Sequence, residues 1–326
     1  MSKFTFIKTI SVFMLLVSSF FIKAADTVSF IQISDIHFCN LSSYHPDFVA
    51  KRQHFGNGAV PFVNFLDSIP GKLNIDFIVF TGDMVDYFEA GSNTGGLLDT
   101  QIEQFVRLLD ETGVPVYMSL GNHDIASYPL KEGSGYTHHQ NNCERARSTW
   151  VRNVSCFRDG TYYSRNISVG NTKYKLIFLD NAWYLPGRSK DDPPYVVDPY
   201  QLHWLDDQLN QSSDDIELVF THMPLYGGTS VVPNKKGQVI DIDTLNMKCT
   251  LADVLKNNSS VKMMFSGHKH RNAVYKYKMS EDYFLNHIET GAFGYDNNNW
   301  RLIQLTENSI IISLPGGDGV EQILRY

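Results

Sequence analysis

The chain has 326 residues, 35 of them acidic against 28 basic, for a formal net charge of −7. That length suits one large α/β domain, and an aromatic content of 13% can fill its interior, so a disordered chain is excluded. An acidic surface without a basic stripe repels phosphate backbones, which excludes nucleic-acid polymers as partners and leaves small ligands.

Residues 1–24 read as a secretory signal peptide. Lys3 and Lys8 mark a charged start, 10–22 is apolar except for serines, and Ala24 and Ala25 offer small residues for cleavage. The apolar stretch is short for a membrane span, which needs about 20 residues; an uncleaved anchor is the rival reading. No later segment is long and apolar enough to span, so residues 25–326 are expected as a single soluble domain, secreted or periplasmic. In that setting Cys39, Cys143, Cys156 and Cys249 are expected to pair. Of the three connectivities, closeness in sequence favours Cys143 with Cys156, leaving Cys39 with Cys249.

The predicted elements then alternate, and five of the hydrophobic runs stop at metal-binding side chains. A strand over 28–34 ends at Asp35-Ile36-His37. A helix over 59–69 leads to a strand over 75–81 that ends at Gly82-Asp83, and a helix over 97–111 leads to a strand over 115–120 that ends at Gly121-Asn122-His123-Asp124. Residues 125–160 form an irregular excursion with one helix over 142–152, followed by strands over 161–168 and 173–180 joined at Gly170-Asn171. Asp198 as N-cap and Pro199 at the first helical position open an amphipathic helix. The next strand ends at Thr221-His222. A loop over 224–240 and a helix over 244–257 precede the strand that ends at Gly267-His268-Lys269-His270. The tail, 273–326, reads as short strands forming a second, more antiparallel sheet.

Continuous β-branched and aromatic runs are buried strands, and side chains just beyond them lie at the carboxyl edge of a sheet, where open α/β folds place their sites. The expected architecture is α/β: a four-layer αββα sandwich of two mixed β-sheets flanked by helices.

Asp35 and His37 stand two apart, so an extended strand points both the same way. Gly82 permits a sharp bend before Asp83, whose two carboxylate oxygens can bridge two ions. Asn122 adds an amide oxygen, and His222, His268 and His270 add imidazole nitrogens. Mixed nitrogen and oxygen donors suit two divalent or trivalent transition-metal ions, Zn, Mn or Fe, better than Mg or Ca. Two such ions can hold a hydroxide between them as nucleophile while neutralising phosphate oxygens. The leaving group still needs a proton. His123 follows a ligand, and Asp124 next to it could orient it and raise its pKa as general acid.

These blocks resemble the calcineurin-like metallophosphoesterase superfamily: Asp-x-His, Gly-Asp, Gly-Asn-His-Asp, His and Gly-His-x-His, in order over residues 35–270. The resemblance implies the same sandwich. It places one metal on Asp35, His37, Asp83 and His270, a second on Asp83, Asn122, His222 and His268, and makes His123 the catalytic histidine. Purple acid phosphatases carry Gly where this chain has His37, and a Tyr ligand where it has Asp86, with Tyr87 one residue late. Secretion and length look most similar to cyclic-nucleotide phosphodiesterase and acid-phosphatase-like members. The implied activity is hydrolysis of small phosphate esters, diesters ahead of monoesters. The rival from another class is a non-catalytic metal-binding protein, which should have lost ligands or the catalytic histidine; this chain has lost none. Tyr128, Trp183, Tyr184, Tyr195, Tyr226, Phe293 and Tyr295 are candidates for an aromatic rim, or else fillers of small satellite cores.

Overall fold

Seven residues, Thr27–Ile33, form the strand on which the first sheet turns, and its run of Phe30, Ile31 and Ile33 is buried completely. The computed structural model describes residues 26–56, 59–131, 135–136, 139–182, 197–212, 214–225, 237–242 and 251–326. The leader-like residues 1–24, Cys249, Trp183, Tyr184, Tyr195 and Tyr226 lie outside these.

Two large mixed sheets carry the fold. The first has six strands in the order Val320–Arg325, Ser309–Ser313, Trp300–Thr306, Thr27–Ile33, Phe77–Thr81 and Val116–Ser119. Its last three are parallel, as the strand–helix alternation requires. The second has seven, in the order Gln238–Asp241, Ala273–Lys278, Phe284–Glu289, Val261–Ser266, Ile216–Phe220, Thr172–Phe178 and Tyr163–Val169. Phe284–Glu289, Val261–Ser266, Ile216–Phe220 and Thr172–Phe178 run parallel to one another.

The tail does not form a sheet of its own. Ala273–Lys278 and Phe284–Glu289 extend the second sheet, whereas Trp300–Thr306 pairs antiparallel with Thr27–Ile33 over seven positions, from Thr27 with Thr306 to Ile33 with Trp300. Without that partner a strand whose Phe30, Ile31 and Ile33 are fully buried would present an open edge.

Aromatic rings join the sheets face to face. Phe178, Phe220 and Phe265 stack along the second sheet with centroids 4.8 and 4.9 Å apart, and Phe30 of the first sheet meets Phe220 edge-on at 6.0 Å. Each such buried ring contributes about 1.5–3 kcal/mol. On the outer face of the first sheet Phe62 from helix Ala59–Leu73 stacks on Phe105 from Gln101–Thr112 at 5.3 Å, and both rings meet Phe80. On the outer face of the second sheet, Leu205 and Leu209 of Pro199–Gln211 pack with Val219, Met264 and Leu255. Asp198 caps that helix as expected, accepting from the backbone N–H of Tyr200 and Gln201 at 3.0 and 3.1 Å. The four layers are therefore helix, sheet, sheet, helix. Among the described residues no helix is long and apolar enough to cross a membrane.

Two further features differ from expectation. Helix Pro46–Gly56 has no predicted counterpart, because Phe48 and Phe55 are the only buried ones among its described side chains, too sparse for a helical period to show. Cys143 and Cys156 are free thiols, not a pair. Cys143 opens helix Cys143–Asn153 and Cys156 lies just past its end, so about 15 Å of helix separates residues that a disulfide needs within about 7 Å. Alkylation of denatured protein without reductant is expected to modify both Cys143 and Cys156, read by peptide mass. An unmodified pair that reacts only after reduction would restore the disulfide.

Candidate metal centre

Each ligand block follows the carboxyl end of a parallel strand: Ile33 before Asp35, Thr81 before Asp83, Ser119 before Asn122, Phe220 before His222 and Ser266 before His268. Asp35, His37, Asp83, His268 and His270 take positive φ of 51°, 50°, 51°, 71° and 53°. Among the described residues Asn74 is the one other non-glycine residue in that region. Side chains held there cost about 1–3 kcal/mol each and persist only where surroundings enforce them, so backbone strain collects at this site.

Backbone bonds enforce it. The N–H of Asp35 donates to Gly82 O at 3.0 Å, and that of His37 to Asp83 O at 3.0 Å, which ties the first two blocks side by side. Gly82, at φ +87°, passes so close to His222 that a Cβ would sit 2.4 Å from Nδ1. The His222 Nδ1–H donates to Thr81 O at 2.8 Å, which directs Nε2 inward.

The expected ligands converge. Asp35, His37, Asp83 and His270 present donor atoms all within 4.8 Å of one another, and so do Asp83, His222 and His268. Asp83 belongs to both groups. His222 Nε2 lies 3.1 Å from Asp83 Oδ2, and His270 Nε2 lies 3.1 Å from Asp35 Oδ1. Asn122 joins the second group, with Oδ1 3.2 Å from His222 Nε2 and 3.0 Å from His268 Nδ1.

The donor set fits metal ions rather than a closed hydrogen-bond network. His37 Nε2 faces His270 Nε2 at 3.3 Å, a contact in which neutral rings have one proton at most to share, beside two carboxylates. Asp35 and Asp83 are fully buried, and burial alone would raise both pKa values; His270 lowers that of Asp35, and His222 and His123 hold Asp83 well below the carboxylate range. His222 rises in turn to about 9: burial lowers it, but the charge of Asp83 outweighs that. Burial with the charge of His222 lowers His268 to about 3. The buried carboxylates thus draw positive charge into the site, and in the protein alone a proton on His222 supplies it.

His123 sits beside both groups and, with His37 and Asp86, forms a third set of close donors. Its backbone N–H donates to Asp83 Oδ1 at 2.8 Å and its Nδ1–H to Asp86 O at 2.6 Å, which commits Nδ1 to the backbone. Burial lowers its pKa to about 4, opposed by the charges of Asp83 and Asp86.

Asp124 does not orient His123. Within the short helix Asn122–Ile125 neighbouring side chains diverge, and the carboxylate of Asp124 turns back to accept from the N–H of Gly121 at 2.7 Å and of Val85 at 3.0 Å. Burial with the charge of Asp83 raises the Asp124 pKa well above its usual value, so it caps the turn instead of raising the pKa of His123.

Sequence reasoning passed over the carboxylate that does face His123. Asp86 Oδ1 lies 3.8 Å from His123 Nδ1 and 3.4 Å from His37 Nδ1, and Arg52 grips its two oxygens. The spacing Asp83-x-x-Asp86 was the available signal. Tyr87 stacks instead on Tyr128 at 4.5 Å, and burial pushes its phenol pKa up, so it stays a neutral ring. Of the rim candidates, Phe293 is core, packed on Phe62 and Phe65, whereas Tyr295 is exposed.

A family model described as calcineurin-like phosphoesterase matches residues 28–272. Two relatives are both named Serine/threonine-protein phosphatase CPPED1. The Rattus norvegicus protein is 25% identical over 259 residues and the Mus musculus protein 26% over 262, each match covering 78% of this chain and 70% of the relative. A solved dimetal phosphatase from Danio rerio is similar in fold, with a TM-score of 0.58 at 14% identity, over 92% of this chain and 99% of its own.

Two outcomes test the site. Asp83→Ala is expected to retain at most one ion per chain where the parent binds two, by elemental mass spectrometry after dialysis. Two ions retained would remove Asp83 from the bridging position. Asp86, held at about 2 against a usual 3.8 by His37 and Arg52 despite its burial, stabilises the fold at pH values above the unfolded pKa. That contribution, on the order of 2 kcal/mol, fades as pH falls from 3.8 through 2. Denaturant melts of metal-free Asp86→Asn should show the deficit at pH 7 and a smaller one near pH 3; an equal deficit at both would assign the loss to packing.

Proposed function

The chain belongs to the calcineurin-like phosphoesterase family and is a metal-dependent hydrolase of phosphate esters, and we propose that it acts through a two-metal site on small phosphodiesters. The observation that supports this most is the membership of Asp83 in both donor groups, which would let one carboxylate serve two ions.

In this reading Asp35, His37, Asp83 and His270 hold one ion and Asp83, Asn122, His222 and His268 the other. Zn, Mn or Fe suits such nitrogen and oxygen donors. When bound, the ions neutralise phosphate oxygens and bring the pKa of water toward 7. The chain does the rest. The Thr81 carbonyl fixes the His222 ring, Asp86 O fixes the tautomer of His123, and His123 Nε2 is placed to give the leaving oxygen its proton. Asp83 and Asp86 oppose the burial that disfavours the protonated ring this step consumes.

A specific observation inclines the choice toward diesters. A monoester carries one more negative charge than a diester and gains more from a cation beyond the ions. Arg52, within one carboxylate of His123, is committed to Asp86. The second reading is phosphomonoester hydrolysis, favoured by the relatives named as phosphatases.

Protein reconstituted with Zn, Mn or Fe is expected to hydrolyse bis-p-nitrophenyl phosphate faster than p-nitrophenyl phosphate, and to lose both activities to a chelator. The reverse preference would establish the monoester reading, and hydrolysis of neither would sink both. His123→Ala is expected to keep two ions and lose about 10²- to 10⁴-fold in turnover.

A further inference from the structure

One exposed ring beside the metal centre takes no part in that scheme. Tyr295 is 58% exposed, yet its ring lies 5.2 Å from the His270 ring and 4.7 Å from Phe55, centroid to centroid. Phe55 is buried and stacks on His37 at 4.1 Å. His54, also exposed, lies nearly parallel to Tyr295 at 6.0 Å and 21°. Rings therefore run without a break from the ligands His37 and His270, through Phe55, to an open aromatic face at the surface.

That face is held firmly. Phe293 N–H donates to Ser34 O at 3.0 Å and Gly294 N–H to Asp35 O at 3.1 Å, so the turn carrying Tyr295 is bonded to the segment that supplies the first ligands. A Cβ on Gly294 would lie 2.8 Å from both Ile36 O and the Phe55 ring, so the turn can press this close only with glycine there. Tyr295 N–H closes the turn onto Ala292 O at 3.1 Å, and the Asn299 amide braces the same carbonyl at 2.8 Å. Covering Phe55 accounts for one side of the Tyr295 ring. It does not account for a mostly open ring fixed within one side chain of a proposed metal ligand.

We propose that Tyr295, flanked by His54, is a stacking platform for a planar aromatic group one ester bond from the phosphorus, making aryl or nucleoside phosphate esters the preferred substrate class. The inference rests on the phosphate-ester reading and narrows it. Aromatic faces attract one another in offset stacks, and a base or phenyl ring presents such a face where an alkyl group does not. The position beside His270 puts the platform on the side of the ion group formed by Asp35, His37, Asp83 and His270.

Calorimetric titration of metal-loaded, full-length protein tests this without turnover. The probes are methylphosphonate, phenylphosphonate and a nucleoside 5′-phosphonate. The parent is expected to bind one or both aromatic probes about tenfold more tightly than methylphosphonate, a difference of about 1.4 kcal/mol. Whether the phenyl or the nucleoside probe gains more separates the two sources of the planar group. Tyr295→Leu should bring the aromatic probes to the level of methylphosphonate, and Tyr295→Phe should keep the preference. A parent with no aromatic preference, or a Tyr295→Leu variant that retains it, overturns the platform. Failure of the parent to bind any phosphonate is a different result, and removes the phosphate-ester reading along with it.

Discussion

Two carboxylates, Asp35 and Asp83, lie buried between two sheets, and among the described residues no Lys or Arg pairs with either. An isolated buried carboxylate is too costly to keep ionised unless positive charge or several donors meet it. Here the donors are backbone and hydroxyl groups: His268 N–H and Ser34 Oγ–H reach Asp35, and His123 N–H reaches Asp83. What remains is satisfied by imidazoles from both sheets. The folding of five separated segments to one point is therefore a matter of charge balance as much as of packing.

The sheets deliver those segments by a geometric device. Parallel strands end on the same edge, and each ends two or three residues before a ligand, so five strand ends supply five blocks. Close approach then decides which residue precedes each ligand. A Cβ at Gly121 would lie 2.2 Å from Asp83 Oδ1, and one at Gly267 would lie 2.2 Å from Asp35 Oδ2. The glycines before Asn122 and His268 exist to let backbone lie against carboxylate, and the one before Asp83 to let it lie against the His222 ring. The left-handed residues that follow turn the side chains inward.

This division explains what the sequence reveals and what it hides. Strand, glycine and ligand occur together within a few residues, so the seven convergent donors and the layered fold are legible from local pattern. The partner of His123 is not. Asp124 is adjacent in sequence, but the helical turn sends it back to Gly121, and the carboxylate that approaches His123 comes from another segment. Its anchor, Arg52, lies 34 residues before Asp86, on a helix with too few buried residues to show a period. The split of the tail was hidden for a related reason: short strands announce themselves, but which open edge they complete depends on the whole sheet. The two cysteines looked close because sequence distance does not register the rise of the helix between them.

The same local strain that marks the site sets its dependence on what it binds. Five residues in a costly backbone region, two buried carboxylates and converging imidazole nitrogens each oppose folding of this edge when taken alone. The core between the sheets, built from stacked Phe178, Phe220 and Phe265, contributes enough burial to hold that edge together. In the protein alone its charge is balanced in part by a proton on His222, whose pKa Asp83 raises to about 9, and Asp35 likewise raises the pKa of His270. An ion there would be held by Asp83, Asn122, His222 and His268 and would supply the positive charge that the proton supplies in the protein alone. Metal affinity and the local stability of these strand ends are thus coupled, because five of the seven proposed ligands are residues whose backbone is strained.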